Sequence, residues 1–243
     1  MFSLQSKFAN RLPRAVFSLL AIIQNGYRIQ KQFIGFLILA LISASSYGQF
    51  EITSLKASTL PKSIKYKGHL VHAVKWHDSL GINYEVASET GIYNDDKESD
   101  GSYGLSASLY VYHYVVNNDS TKLLWKIYDF TKDCGFDLTV AFYRNLFIVT
   151  DLDSNGIAEA WVMYQNNCTS DISPVDAKII MYEGNKKYAI RGALSVANYG
   201  NYKGHYALDN NFKNGNPLFR QYAIRLWKSA EQWLEKSERK NLH

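Results

Sequence analysis

The chain has 243 residues, 47% hydrophobic and 20% charged, with a formal net charge of +5. That excess sits in residues 1–48, which hold Lys7, Arg11, Arg14, Arg28 and Lys31 and no acidic residue. Taking those five from the 27 Lys+Arg leaves residues 49–243 with 22 bases against 22 acids. This balance excludes a role built on a basic surface, and with it nucleic-acid binding through counterion release.

The first 48 residues read as an export leader. Residues 27–32 are a basic segment, residues 33–42 are apolar, and residues 43–48 are small, with Ser46 and Gly48 placed for cleavage before Gln49. The apolar run is short of the roughly 20 residues that span a bilayer comfortably. An uncleaved anchor is the alternative; after cleavage no stable membrane span is expected. Residues 15–23 form a second apolar patch, so either the leader is extended or translation starts further downstream. The remainder, 49–243, is expected to be a single β-rich domain, periplasmic or secreted. Its two cysteines, Cys134 and Cys168, are expected to pair in an oxidising compartment. The alternative is two small buried hydrophobes.

Strand signals then follow one another. Residues 70–76 alternate weakly, the turn Asp78-Ser79-Leu80-Gly81 leads into residues 82–88, and residues 91–103 form an acidic, turn-rich loop. Residues 105–116 are the clearest strand: Leu105, Ala107, Leu109, Val111 and Val115 on one face, Ser106, Ser108, Tyr110, Tyr112 and Tyr114 on the other. A turn at residues 117–120 predicts a hairpin with residues 121–130. Residues 136–143, 146–150, 157–165, 177–182 and 187–191 read as further strands, the last two flanking a Gly-Asn turn. After Asn216-Pro217, an N-cap followed by Pro at the first helical position, the period changes. Phe219, Ala223, Leu226, Ala230 and Trp233, with Trp227 and Leu234, mark one face of a helix whose other face carries charges of both signs. That mixture favours a helix covering the sheet over one lying on a membrane. The fold class is therefore α+β, mainly antiparallel sheet with a C-terminal amphipathic helix.

One segment carries recognisable chemistry. Asp151, Asp153 and Asn155 stand at positions one, three and five of a D-x-D-x-[DN]-G turn between two strands. Gly156 permits the sharp bend, Ile157 can turn its carbonyl inward, and Glu159 stands at position nine. Such a loop offers calcium most of the six to eight hard oxygen ligands it takes. It is not an EF-hand, because position twelve is Val162 and the flanks are strands. It resembles the calcium loops of integrin-alpha-type propeller repeats over about thirteen residues, but occurs once, which argues against a propeller. The alternative is an Asx-rich hairpin turn whose carboxylates are merely solvated.

A longer resemblance spans most of residues 49–243. Residues 76–78 with 81–83, then 124–130, 134–138, 150–159, 171–174 and 178–192, together with Cys168, are similar to an exported bacterial family, some members of which are named for surface-polysaccharide biosynthesis. The resemblance implies an envelope setting and identifies no catalytic residue.

Catalytic signals are thin. His72, His77, His113 and His205 can be combined on paper with many Ser and Asp residues, yet no nucleophile-elbow signature accompanies them. His113 falls on the apolar face of its strand and reads as a core histidine. Asp95, Asp96, Glu98 and Asp100 are neighbours in a loop and read as a solvated acidic run. Tyr110, Tyr112 and Tyr114 form a stripe suited to stacking on sugar or protein, or to packing beneath the C-terminal helix. The expected role is a non-enzymatic envelope protein, calcium-stabilised, whose partner is a glycan or an envelope protein. The competing expectation is a carbohydrate-active enzyme working on envelope glycans.

Overall fold

A computed structural model describes residues 50–95, 104–118, 120–170, 173–195 and 203–241, with backbone only over 235–241. All fall within the unit Tyr47–His243. The proposed leader, the acidic residues Asp96, Glu98 and Asp100, and Asp171-Ile172 lie outside them. Among the described residues no helix is long and apolar enough to cross a membrane.

Among the described residues, eleven strands build two antiparallel sheets. The first contains β1 (Thr53–Ser54), β2 (His69–Asp78), β3 (Gly81–Glu89), β4 (Tyr93–Asn94), β5 (Leu105–Asn117) and β6 (Ser120–Cys134). Its order is β1-β2-β3-β5, with β6 on the far side of β5 and β4 paired to the first residues of β5. The second runs β11-β10-β9-β8-β7, from β7 (Asp137–Thr150), β8 (Glu159–Thr169), β9 (Val175–Glu183), β10 (Lys186–Leu194) and β11 (His205–Leu208). The β5–β6 hairpin expected from the turn at 117–120 is present, paired from Asn117↔Ser120 to Leu105↔Cys134 with register shifts between His113 and Tyr114 and between Leu105 and Ala107. The segments expected at 136–143 and 146–150 merge into one strand, β7, which begins at Asp137. Its pairing with β8 breaks between Phe142 and Phe147, and that bulge looks like a turn when only sequence is read.

The sheets stack face to face. Val74, Trp76, Leu109, Val111, Trp125 and Ile127 from the first meet Leu138, Val140, Phe142, Val162, Tyr164 and Ile180 from the second. The indole of Trp125 lies parallel to the Tyr182 ring at 4.2 Å between centroids. A Cys134–Cys168 disulfide, Cα–Cα 5.9 Å, ties the end of β6 to β8. Asp129 on β6 bonds Tyr164 at 2.9 Å and pairs with Lys178 on β9, joining the sheets again.

Each outer face has its own cover. After Asp209 caps a short helix α1 (Asn210–Asn214), the chain enters helix α2 (Pro217–Asn241). Asn216 Oδ1 accepts from the Leu218 N–H at 3.0 Å, the cap anticipated from Asn216-Pro217. Phe212 of α1 and Phe219, Ala223, Trp227 and Ala230 of α2 bury against Trp161, Met163, Ile179, Met181, Tyr188 and Ile190 on the outside of the second sheet. Trp233, expected on the buried face, lies at the rim, edge-on to Tyr143 and 51% exposed. The outside of the first sheet is covered by residues 55–66, which bring Leu55, Leu60, Ile64 and Tyr66 onto Ala73, Val86, Tyr110, Tyr112 and Tyr114.

Candidate metal centre and aromatic row

The β7–β8 connection is a chain of side-chain caps. Asp151 Oδ2 accepts from the Gly156 N–H at 3.2 Å, Asp153 Oδ1 from Asn155 N–H at 3.3 Å, and Asn155 Oδ1 from Ile157 N–H at 2.8 Å. Ser154 and Gly156 adopt positive φ, 58° and 79°, which makes the reversal tight. Gly156 is also required by proximity, since a Cβ there would meet Ser79 Oγ at 2.7 Å.

Neighbouring elements hold this loop from three sides. Ser79 N–H donates to Gly156 O at 2.8 Å, and Ala158 N–H donates to Asp78 Oδ2 at 3.1 Å, fixing it to the β2–β3 turn. The Asn155 amide donates to Glu183 Oε1 at 2.6 Å, at the end of β9. Asn216, the helix cap, donates to Asp153 Oδ2 at 3.3 Å. These anchors come from residues 28 to 80 positions away, so spacing within the loop carries no sign of them.

Carboxylate oxygens of Asp151, Asp153 and Glu159 lie within 4.8 Å of one another, a grouping that can hold a metal ion. Glu159 is fully buried and accepts from the Thr150 hydroxyl at 2.6 Å and from Leu152 N–H at 2.9 Å. Burial nevertheless pushes its carboxyl up to about 7, and the charges of Asp153 and Asp151 push the same way. One oxygen of Asp151, Oδ1, is buried and has no hydrogen-bond partner. A cation there would supply the missing partner and relieve the crowding of like charges. Of the five residues picked from the sequence, three acids converge, Asn155 shapes the turn through its amide, and Ile157 is half-buried in the loop backbone.

Tyr110, Tyr112 and Tyr114 are buried rather than open to solvent, and their cover is the segment 55–66, not the C-terminal helix. The stripe is part of a longer stack. Tyr112 lies 6.5 Å from Tyr114 and 6.0 Å from Tyr110; Tyr110 lies 5.1 Å from Tyr128, and Tyr128 lies 5.2 Å from Phe130. The last two rings, on β6, are 51% and 49% exposed. Lys126 Nζ sits 5.1–5.4 Å from the centroids of Tyr110, Tyr112 and Tyr128. The sequence predicts a hairpin strand over residues 121–130 without assigning Tyr128 and Phe130 to a face; the β5–β6 register, Tyr110↔Tyr128 and Ser108↔Phe130, joins them to the stripe.

The histidines are dispersed. His72 stacks on Phe147 at 4.3 Å, His113 is buried between Trp76 and Trp125, and His77 and His205 are exposed on different sheets. Asp95 accepts from Asp133 N–H at 2.9 Å and from the Ser106 hydroxyl, holding β4 against β5. Fold and site together define a disulfide-linked, two-sheet domain with an acidic strand connection. Compared with protein-family models, curated proteins and solved structures, the chain finds no match.

Proposed function

We propose that this is an exported cell-envelope protein of non-enzymatic type. In this reading calcium stabilises the β7–β8 connection, and the exposed end of the aromatic row contacts a surface glycan. The observation that carries the reading is the Asp151, Asp153 and Glu159 cluster with its buried, unpartnered Asp151 oxygen. An all-oxygen donor set on a bent loop suits a hard cation of flexible coordination, which favours calcium over zinc. The metal's role is structural, because the ligands sit in a strand connection pinned by four backbone or amide hydrogen bonds to other elements. The glycan half rests on Tyr128 and Phe130, whose nearly parallel, half-exposed rings present a flat apolar platform beside the Lys126 ammonium.

Thermal unfolding with calcium and with chelator tests the metal. Saturating calcium at about a hundred times Kd stabilises by about 2.7 kcal/mol, equivalent to roughly 5–10 °C in a protein of this size. Asp151→Asn is expected to abolish the increment. A midpoint unmoved by either additive overturns the calcium reading. A glycan array probed with and without chelator tests the second half: binding that Tyr128→Ala removes supports it, and no binding in either condition rejects it. Turnover of an array glycan would favour the enzymatic alternative.

A further inference from the structure

The inward face of β3, β5 and β6 carries a polar row that neither the metal loop nor the aromatic platform uses. Strand register sets Glu85 opposite His113 and His113 opposite Trp125. The three face the core between the sheets, where Ala87, two residues beyond Glu85, and Trp125 itself belong to the central cluster. They are 1%, 3% and 7% exposed. Each nonetheless keeps a buried polar atom without a hydrogen-bond partner: Glu85 Oε2, His113 Nδ1 and Trp125 Nε1. Buried polar atoms of folded proteins are nearly always satisfied, by protein or by ordered water. Three orphans on neighbouring strands of the sheet, in one row, therefore point to a shared partner.

The hydrogen-bond network defines what that partner must be. Asn83 Nδ2 donates to Asp78 Oδ1 at 2.8 Å and to Gly81 O at 2.9 Å, so its Oδ1 is an acceptor. His113 Nε2, 2.8 Å from that oxygen, must carry the hydrogen. Nδ1 of the neutral ring is then a bare acceptor, and burial keeps the ring neutral by pulling it down to about 4. The Trp125 indole N–H can only donate. Burial pushes Glu85 up to about 8, so near neutrality it is an uncharged acid with a hydroxyl to give and a carbonyl oxygen to receive. An anion would face the lone pair of Nδ1, and a cation would face the indole N–H. The guest that suits all three is small, uncharged, and both donor and acceptor.

We propose that Glu85, His113 and Trp125 enclose an internal hydration site, a place for bound water between the two sheets. Water donates to His113 Nδ1, accepts from Trp125 Nε1 and exchanges a hydrogen bond with the Glu85 carboxyl, giving it the three partners typical of buried water. The site ends a polar chain that runs through Asn83 to Asp78, whose Oδ2 accepts from Trp76 Nε1 and from the Ala158 backbone of the metal loop. The water thus completes the buried network that anchors this loop to the β2–β3 turn.

Water–protein cross-relaxation NMR on the full-length protein tests it. The Trp125 indole proton is expected to show a cross-peak of dipolar sign to a long-lived water. Glu85→Gln, which keeps a donor and an acceptor, is expected to retain that cross-peak and a melting midpoint within about 2 °C. Glu85→Leu strands the other two polar atoms and is expected to lower the midpoint by about 5 °C. A dry site gives the opposite pattern: no water cross-peak at the indole, and a midpoint raised by leucine because it removes a buried acid and fills a void. That pattern overturns the proposal. If Glu85→Leu does not fold, the wild-type cross-peak alone decides.

Discussion

The two outer faces of the sandwich are both apolar, yet they are closed by different means. On the second sheet, helices α1 and α2 lay down Phe212, Phe219, Ala223 and Trp227. A helix satisfies its own backbone, so it needs only a complementary apolar stripe to dock. On the first sheet the cover is residues 55–66, which contain no more regular structure than a 3-10 turn at Ala57–Thr59. Such a segment brings backbone N–H and C=O groups that no ladder satisfies. The sheet beneath answers with tyrosines rather than with aliphatic residues: Tyr114 donates its hydroxyl to Lys65 O at 2.6 Å, and Tyr112 Oη accepts from Lys67 N–H at 3.3 Å. The composition of each sheet face thus reflects what its cover requires. One face wants shape and the other also wants polar tips.

The helical cover should be the more sensitive to lost volume. Trp227 is fully buried at its centre, with Tyr206 5.6 Å from the indole between ring centroids. Trp227→Ala is expected to cost about 3–5 kcal/mol, read as a fall of roughly 10 °C or more in the thermal midpoint. Urea titration checks the free energy directly, with an unchanged slope if the sandwich still unfolds in one step. A loss below about 1 kcal/mol would mean that α2 contributes little to holding the second sheet.

The disulfide connects the two regimes, since Cys134 ends a strand of the tyrosine-faced sheet and Cys168 lies in the helix-covered one. Closing a sequence separation of 34 residues restricts the unfolded chain, an effect of about 3–4 kcal/mol in the chain-entropy account. The Cys134→Ser, Cys168→Ser double variant is expected to lose that much stability in urea while retaining both covers. Hydrogen exchange should then speed up alike beneath the helix and beneath the segment 55–66. Faster exchange confined to one cover would show that the faces open independently.

How much of this was legible in sequence follows the range of each interaction. The alternation of Leu105 to Val115 against Tyr110 to Tyr114 identified β5 and both of its faces, because period two is a local property. Asn216-Pro217 marked the start of α2 for the same reason. The acidic loop was readable because Asp151, Asp153 and Glu159 lie within nine residues, so turn geometry alone brings them together. What covered each face was not readable. Tyr110, Tyr112 and Tyr114 could meet either solvent or a helix, and residues 55–66 have no period to announce a cover. Both faces of β8 are apolar, with Trp161 and Met163 outward and Ala160 and Val162 inward, which says two partners exist without naming them. The row Glu85, His113 and Trp125 belongs to three strands and becomes a row only through register.

The smallest expected effect bears on the face whose cover lacks regular structure. Tyr114→Phe keeps the ring, its packing on Ile64 and its neighbours in the stack, and removes one hydroxyl. The Lys65 carbonyl loses its partner, a change of about 1 kcal/mol, or roughly 2–4 °C in the midpoint. If the tyrosine tips hold the segment, the loss is local: exchange of the amides of residues 55–67 accelerates while those under α2 keep their rates. The corresponding change on the other face, Tyr188→Phe, removes a hydroxyl from a ring that serves the helices mainly through its contacts with Phe212 and Phe219. It is expected to leave the exchange beneath α2 unaltered. Equal responses to the two substitutions would mean that tyrosine is chosen on the first sheet for its ring alone, and the division between a cover docked by shape and a cover held by polar tips would fall.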